Sequence, residues 1–352
     1  MKDGILQYFS KRLRIFVVLI LKYLLKSFIQ YYVKTTLIIV KYIPKNIYIS
    51  NDTLTKIDGL GAQIQRLISS YALSSYCRIK FFQSDITSVT VHPLDPYQNL
   101  RSQNLFVKKV NKSLKIVGNN KKSQKIAFNE FKYVQLSATN LLVQSVKSNF
   151  RNEPTLLKVV ESYKICDFKP ELYTNLPRFK FIKLKKTKSK RNTIVIHYRR
   201  GVGGMAIYPG QSTPREMPIE YFVKIVTGLY QESKYLDYEI ILLTDSPLKQ
   251  TTYKPPKNQK IMWAGFPNYN GRVMEIAKLD LPLIREKIPK VKIKSGGDPL
   301  EAIKLMANAE VLILSKSSLS YVSALMNASG KIFFPKDFWH PPLKNWNIIS
   351  TN

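Results

Sequence analysis

Acidic residues are scarce in this chain: 23 Asp+Glu stand against 56 Lys+Arg over 352 residues, a formal net charge of +33. Such an excess creates a strongly positive surface field, so an anionic partner is expected: nucleic acid, a membrane surface or a phosphorylated substrate. Charge alone does not choose among the three. The acids present never form a D-x-D pair, so no carboxylate pair is offered to a divalent ion on a diphosphate. Cysteine is nearly absent. Cys77 and Cys166 are too few for a disulfide framework and neither lies in a C-x-x-C pair, which excludes stapled, zinc-ribbon and thioredoxin-like designs and points to a reducing compartment. Nowhere do ~20 apolar residues run uninterrupted, as a plain membrane span requires. No small-residue cleavage site follows the apolar run near the start, which argues against a secretory signal.

What is there suffices for two ordinary domains, since 45% of the residues are hydrophobic. Residues 1–45 read as a basic amphipathic extension. Ile15 to Leu21 is apolar, and Lys22, Lys26 and Gln30 then recur at i, i+4, i+8, which sets them along one side of a helix. Two lysines in mid-membrane would each cost roughly 2.5–3.5 kcal/mol, so the helix is expected to lie in the interface, with Lys11, Arg12 and Arg14 on anionic headgroups. A helix packed on the protein's own core is the other reading. The lysines elsewhere are spread along the chain, so no specific nucleic-acid partner is expected. Their densest block, Lys180 to Arg191, reads as a solvated linker and sets a boundary near 185, between an N-terminal half (46–185) and a C-terminal half (186–352).

In the N-terminal half, Ile47 to Ser50 reads as a strand. A helix follows the Asp58-Gly59-Leu60-Gly61 turn with Ile64, Leu67, Ile68, Tyr71 and Ala72 on one stripe, and Arg78 to Gln83 returns as a strand. Helices are expected around Val134 to Val146 and Thr155 to Tyr163. The C-terminal half alternates short apolar strands (Thr193 to His197, Tyr238 to Leu243, Lys260 to Trp263, Val291 to Lys294, Val311 to Ser315, Lys331 to Phe334) with helices (Ile219 to Glu232, Pro299 to Asn308, Ser318 to Asn327). That alternation predicts an α/β fold with parallel sheets covered on both faces.

In such sheets ligands bind beyond the carboxyl ends of the strands. After the strand at 193 comes His197-Tyr198-Arg199-Arg200-Gly201-Val202-Gly203-Gly204, two arginines whose planar forks suit phosphate, opening a glycine-rich loop that lets backbone come close. After the strand at 238 comes Thr244-Asp245-Ser246-Pro247. After the strand at 311 comes Ser315-Lys316-Ser317-Ser318-Leu319-Ser320, running straight into a helix, whose free N–H groups and positive end make an anion site. Each has a plainer use: surface charge for the arginines, capping for the Thr-Asp and Ser-Ser turns. Placement after three strands of one sheet lets a single diphosphate be touched from all three. Asp298 and Glu301 read either as acceptors from a guanine edge or as carboxylates at a helix start.

The segments HYRRG (197–201), ILLTDSP (241–247) and VLILSKSSLSYVSAL (311–325), in that order, resemble the three motifs of the α1,2-, α1,6- and protein-O-fucosyltransferase superfamily. GLGAQIQRL (59–67) resembles its glycine-Gln helix start. The likeness implies a GT-B architecture, two Rossmann-like domains facing a central cleft. It also implies a GDP-sugar donor, GDP-fucose above all, held by the C-terminal half, inversion at the anomeric carbon, and no metal or other cofactor. By the same resemblance Arg199 contacts the β-phosphate with Arg200 and Gly201 beside it, His197 neighbours the nucleoside, and Ser317 and Ser318 bind phosphate or ribose. Asp245 would support the donor pocket, and Gly61, Gln63 and Arg66 would face the cleft from the acceptor side.

Two departures stand out. Val202 occupies a place where relatives carry an acid, and Ala62 one where they carry Asn. An inverting transfer wants a general base, and the nearest downstream carboxylate is Glu216, in Pro214-Arg215-Glu216-Met217-Pro218, with Glu220 next. The expected acceptor is a glycan or lipid-linked oligosaccharide, met at the cytoplasmic face of a membrane to which the basic N-terminus adheres peripherally. Two alternatives stay open: another nucleotide sugar on the same fold, and a non-catalytic basic protein that binds nucleic acid or lipid. The tail Phe338 to Leu343 reads either as an acceptor-site wall or as packing.

Overall fold

A computed structural model describes residues 47–51, 59–77, 80–89, 95–97, 100–114, 132–137, 155–160, 162–168, 170–174, 192–199, 217–249, 251–253, 274–276, 279–327 and 329–351. The extension 1–45, the lysine block at 180–191 and the strand expected at Lys260 to Trp263 lie outside these residues.

The chain is built on two parallel sheets, the α/β class expected. The first has strands β1 (Ile47–Asn51), β2 (Lys80–Phe82), β3 (Lys132–Ser137) and β4 (Thr155–Val160) in the order β2-β1-β4-β3, every pair parallel. Between β1 and β2 runs α1 (Leu60–Cys77), and α2 (Leu100–Ser113) follows β2. Two expectations fail here. The segments at 134 and 155 were expected to be helical, yet β3 and β4 are strands. In β4 three of six residues (Thr155, Val159, Val160) are β-branched and lose χ1 freedom in a helix. In β3, Val134 and Leu136 alternate with Tyr133 and Gln135, a period of two. The helix near 160 begins only at Ser162, as α3 (Ser162–Phe168), followed by the single turn α4 (Glu171–Thr174).

The second sheet contains β5 (Thr193–Tyr198), β6 (Glu239–Thr244), β9 (Lys292–Ser295), β10 (Val311–Ile313), β11 (Lys331–Pro335) and β12 (Asn347–Ile349); its order is β12-β11-β10-β5-β6-β9, again all parallel. A small antiparallel pair, β7 (Thr251–Tyr253) with β8 (Met274–Ile276), stands apart. The helices are α5 (Ile219–Tyr230), α6 (Leu281–Lys287), α7 (Pro299–Ala307) and α8 (Ser318–Met326). Sequence explains their starts. Asp280 accepts from Leu283 N, Asp298 from Leu300 N and Ser317 from Leu319 N, and the first two helices carry proline in the first turn. β5 is an uncharged, β-branched run buried along its whole length, as the middle strand of a two-sided sheet must be.

Alternation along β5 sends Ile194 and Ile196 to one face, where they meet Phe222, Ile225 and Leu229 of α5 and Ile284 of α6. Val195 goes to the other face. There the core takes in Leu300 and Ile303 of α7, Tyr321 and Val322 of α8 and the tail residues Phe338, Leu343 and Trp346. That cluster continues into the first sheet through Ile64, Leu67 and Ile68 of α1, Ile49 of β1 and Phe81 of β2. α1 is therefore no surface helix with one apolar stripe. Several of its polar residues are buried and bonded as well: Ser69 Oγ lies 2.8 Å from Tyr173 Oη, Ser70 Oγ donates to Ser162 Oγ at 2.9 Å, and Ser162 Oγ donates to Arg66 O at 3.2 Å. Among the described residues no helix is long and apolar enough to cross a membrane.

Candidate active site

The second sheet starts at β5, grows through β6 to β9, then returns to the opposite side of β5 for β10 and β11. The order reverses between β5 and β10, so their carboxyl ends flank the crevice where open α/β sheets bind ligands. Arg199 follows β5 and the serine turn follows β10. Arg199 Nη1 donates to Ser317 Oγ at 2.9 Å. The guanidinium side chain is 14% exposed, and Asp245 Oδ2, at the end of β6, lies 4.0 Å from its Nε. That Nε is buried and makes no hydrogen bond among the described residues. A cation held at one corner, with donors left over, is suited to an arriving oxyanion.

The four serines around the start of α8 divide the work by their bonds. Ser315 Oγ lies 2.8 Å from His197 Nδ1 and holds that buried imidazole to the turn. Ser320 Oγ donates to the carbonyls of Ser315 and Ser317 at 3.0 Å each, stiffening the turn from inside. Ser317 Oγ accepts twice, from Leu319 N at 3.3 Å and from Arg199. With both acceptor positions engaged, its hydroxyl proton remains to be given to a ligand. Ser318 is half-buried at the first position of α8. The positive end of the helix adds to all of these.

The first sheet reaches the same place. A Cβ on Gly61, in the first turn of α1, would fall 2.4 Å from Leu319 N and 2.7 Å from Ser318 C. Only glycine lets α1 come that close, so the starts of α1 and α8 meet beside Arg199. Gln63 and Arg66, one turn further on, are buried.

The structure thus brings Gly61, His197, Arg199, Asp245, Ser317 and Ser318 together. Arg200, Gly201 and Glu216 lie outside the described residues. Asp298 lies past the carboxyl end of the edge strand β9, after Gly296 and Gly297, whose φ of 65° and 97° favour glycine. Its Oδ1 caps α7 through Leu300 N, and its Oδ2 accepts from Tyr97 at 2.8 Å and from Lys109. Burial pushes this carboxyl up, but the Lys109, Tyr97 and Leu300 donors outweigh it and hold it below the usual carboxylate range. Glu301 pairs with Lys304 at 2.7 Å. Asp298 is engaged at the start of α7 and Glu301 in an ion pair along it.

Ser315 opens the serine turn and His340 lies in the aromatic tail, but neither side chain's own role is written in the sequence. Trp339 Nε1 donates to His340 Nε2 at 2.9 Å, and Asp167 Oδ2 lies 3.0 Å from Nδ1. An indole N–H only donates, so the imidazole proton sits on Nδ1, toward Asp167. Gln65 of α1 lies 3.2 Å from the same nitrogen. The aromatic tail is packing that binds the two halves. Among the described residues no group of three or more His, Cys, Asp or Glu side chains is placed to hold a metal ion.

No protein-family profile matches this sequence, and no curated protein matches it. Solved structures do align. Escherichia coli heptosyltransferase WaaC with ADP-2-deoxy-2-fluoro heptose covers 60% of this chain at 14% identity and a TM-score of 0.26, and the match spans 47% of that protein, about half its length. E. coli ADP-heptose LPS heptosyltransferase II aligns over 86% of this chain and 89% of its own, at 13% identity and a TM-score of 0.34. NodZ α-1,6-fucosyltransferase co-crystallised with GDP aligns over 82% and 94%, at 10% identity and a TM-score of 0.31. All three are glycosyltransferases, matched at scores too low to define a shared fold.

Proposed function

We propose that this chain is a glycosyltransferase of GT-B architecture that holds a nucleoside-diphosphate sugar in the β5–β10 crevice and passes the sugar to a glycan. One observation carries the reading: Arg199 Nη1 stands 2.9 Å from Ser317 Oγ, the N-cap of α8, at the point where the strand order reverses. Guanidinium, hydroxyl donor and helix start then face one diphosphate. In an inverting transfer the acceptor oxygen attacks the anomeric carbon as its bond to the β-phosphate breaks, and negative charge grows on the departing diphosphate. Donors already fixed there stabilise that charge without reorganising, which is how the reaction proceeds on this reading without a metal. Glu216 is our candidate for the base that takes the acceptor hydroxyl's proton. The choice of GDP, and of fucose as the sugar, rests on the resemblance of the four sequence motifs. The acceptor we propose is a surface polysaccharide or lipid-linked oligosaccharide at the cytoplasmic membrane face.

A thermal-shift series with GDP, ADP and UDP, followed by transfer assays with GDP-fucose and GDP-mannose, tests this. GDP should stabilise most. Arg199→Ala should keep its circular-dichroism spectrum and lose turnover by about 10²–10³-fold, the loss typical of one removed transition-state donor. A stronger shift with ADP or UDP moves the assignment to another nucleotide sugar. No nucleotide shift, with tight salt-sensitive binding of nucleic acid instead, makes the chain a non-catalytic basic binder.

A further inference from the structure

The first half of the chain touches the second at both ends of one row of strands. In the order β10-β5-β6-β9, Gly61 of α1 meets Ser318 and Leu319 after β10, and Tyr97 and Lys109 meet Asp298 after β9. Arg199, after β5, and Asp245, after β6, lie between these contacts. The strand spacings from β10 to β9 add up to about 14 Å. Asp298 and Ser317 also share a side of the sheet, since the helices they cap, α7 and α8, both pack on its Val195 face. The crevice is thus bridged by the first half at each end.

The two bridges are unlike. At the β10 end backbone lies on backbone without room for a Cβ, and the apolar cluster runs on from Tyr321 and Val322 of α8 into Ile64 and Leu67 of α1. The tail reinforces that seam, with His340 buried against Asp167 and Gln65 of the first half. At the β9 end the join is polar: a phenol and an ammonium on one carboxylate oxygen, with the Lys109 side chain 46% exposed. Exposed ion pairs are weak and screened by salt, whereas a buried apolar seam is neither. Each side of the polar join is carried by its own half. Asp298 is fixed at the start of α7 through its other oxygen, which accepts from Leu300 N at 2.8 Å. Tyr97 stacks on Phe106 of α2 with ring centroids 4.1 Å apart, and Asn111 fastens α2 to both backbone groups of Ile86 at 2.9 Å each. Tyr97 and Lys109 therefore move together, with α2.

We propose that Asp298, Lys109 and Tyr97 form a latch at the β9 end of the crevice, which opens to admit the donor diphosphate and re-forms behind it while the halves pivot at the α1–α8 and tail seam. The proposal rests on the crevice being a nucleoside-diphosphate site. The weaker of two joins breaks first, so the motion that widens the crevice is a swing of α2 away from the start of α7. Lys109 gates the crevice and does not touch the donor. Removing its charge has two opposite effects on association. Attraction of an anionic nucleotide falls slightly, because one cation is gone from the surface. The open form becomes commoner, and access rises with it. Faster binding after the loss of a positive charge is therefore a sign that neither a ligand-binding nor a merely structural lysine gives.

Stopped-flow mixing of fluorescent N-methylanthraniloyl GDP, ADP and UDP with wild type, Lys109→Gln, Lys109→Arg and Tyr97→Phe tests it. Lys109→Gln should raise both the association and the dissociation rate of the nucleotide that wild type binds by about threefold, leaving Kd within about twofold. Lys109→Arg, which can re-form the pair, should match wild type, and Tyr97→Phe should move both rates the same way by less. Unchanged rates in Lys109→Gln overturn the latch and leave the site standing. So does a Kd raised through dissociation alone, which would make Lys109 a ligand of the nucleotide. A wild type that binds none of these nucleotides overturns the site itself, and the latch with it. Should Lys109→Gln fail to fold, Tyr97→Phe decides alone, and rates equal to wild type sink the proposal.

Discussion

Asp298 shows how one carboxylate is shared at the scale of a residue. It closes the first turn of α7 with one oxygen, and with the other it takes Tyr97 and Lys109 from the first half of the chain. Because those donors hold its folded acidity below the unfolded value, its contribution to stability is fully present above the unfolded carboxylate range and is lost as pH falls through the folded value. Asp298→Asn should be less stable than wild type by about 1 kcal/mol at neutral pH, since charge-assisted bonds become neutral ones. That gap should close as acid is added from about pH 5 towards about pH 2; urea midpoints across this range measure it, and a gap constant with pH would show that Asp298 acts through its shape. The serines make a related point. Ser317 and Ser320 lie three apart in one motif, yet Ser320 spends its proton on backbone carbonyls and Ser317 retains its own. Spelling alone does not distinguish a stiffener from a donor, because the difference is where each hydroxyl points.

At the scale of elements, the meeting of α1 with α8 governs the crevice. Apolar spacing along 64–72 announced α1, but a stripe says only that one face is buried. Most of the helix is buried on both sides, because α3, α4 and the tail cover its serine and glutamine side, and that could be known only once those elements were in place. Gly61→Ala would press a methyl group onto the backbone of Ser318 and Leu319, which has no rotamer to escape into. The expected cost is about 1–3 kcal/mol of stability, with weaker nucleotide binding as the start of α8 shifts. Gly228→Ala, where a Cβ meets nothing within 4 Å, is the control and should be neutral or slightly stabilising. Melting temperatures and GDP affinities of the pair check this, and equal behaviour of the two variants would remove the contact from the account.

The whole molecule carries a net charge of +33, far more than one diphosphate needs. We expect the remainder to meet an anionic membrane surface: co-flotation with phosphatidylserine vesicles should exceed that with neutral vesicles and fall as salt rises from about 0.05 to about 0.5 M. Flotation indifferent to lipid charge would dismiss that surface as a partner. Composition and periodicity determined the α/β class, the alternation of short strands with helices in the second half, and the three loops that follow β5, β6 and β10. Those are local properties, written in runs of four to twelve residues. At 132–137 and 155–160 local pattern misled, because runs of six residues are too short to separate strand from helix, and pairing decided it: β4 lies against β1, and β3 against β4. Tertiary structure alone decided that Arg199 meets Ser317 across 118 positions, that Asp298 is held by Tyr97 and Lys109, and that Gly61 is a seat for α8. Each of these depends on strand order and on the approach of two backbones, quantities that belong to pairs of distant segments and are carried by neither segment separately.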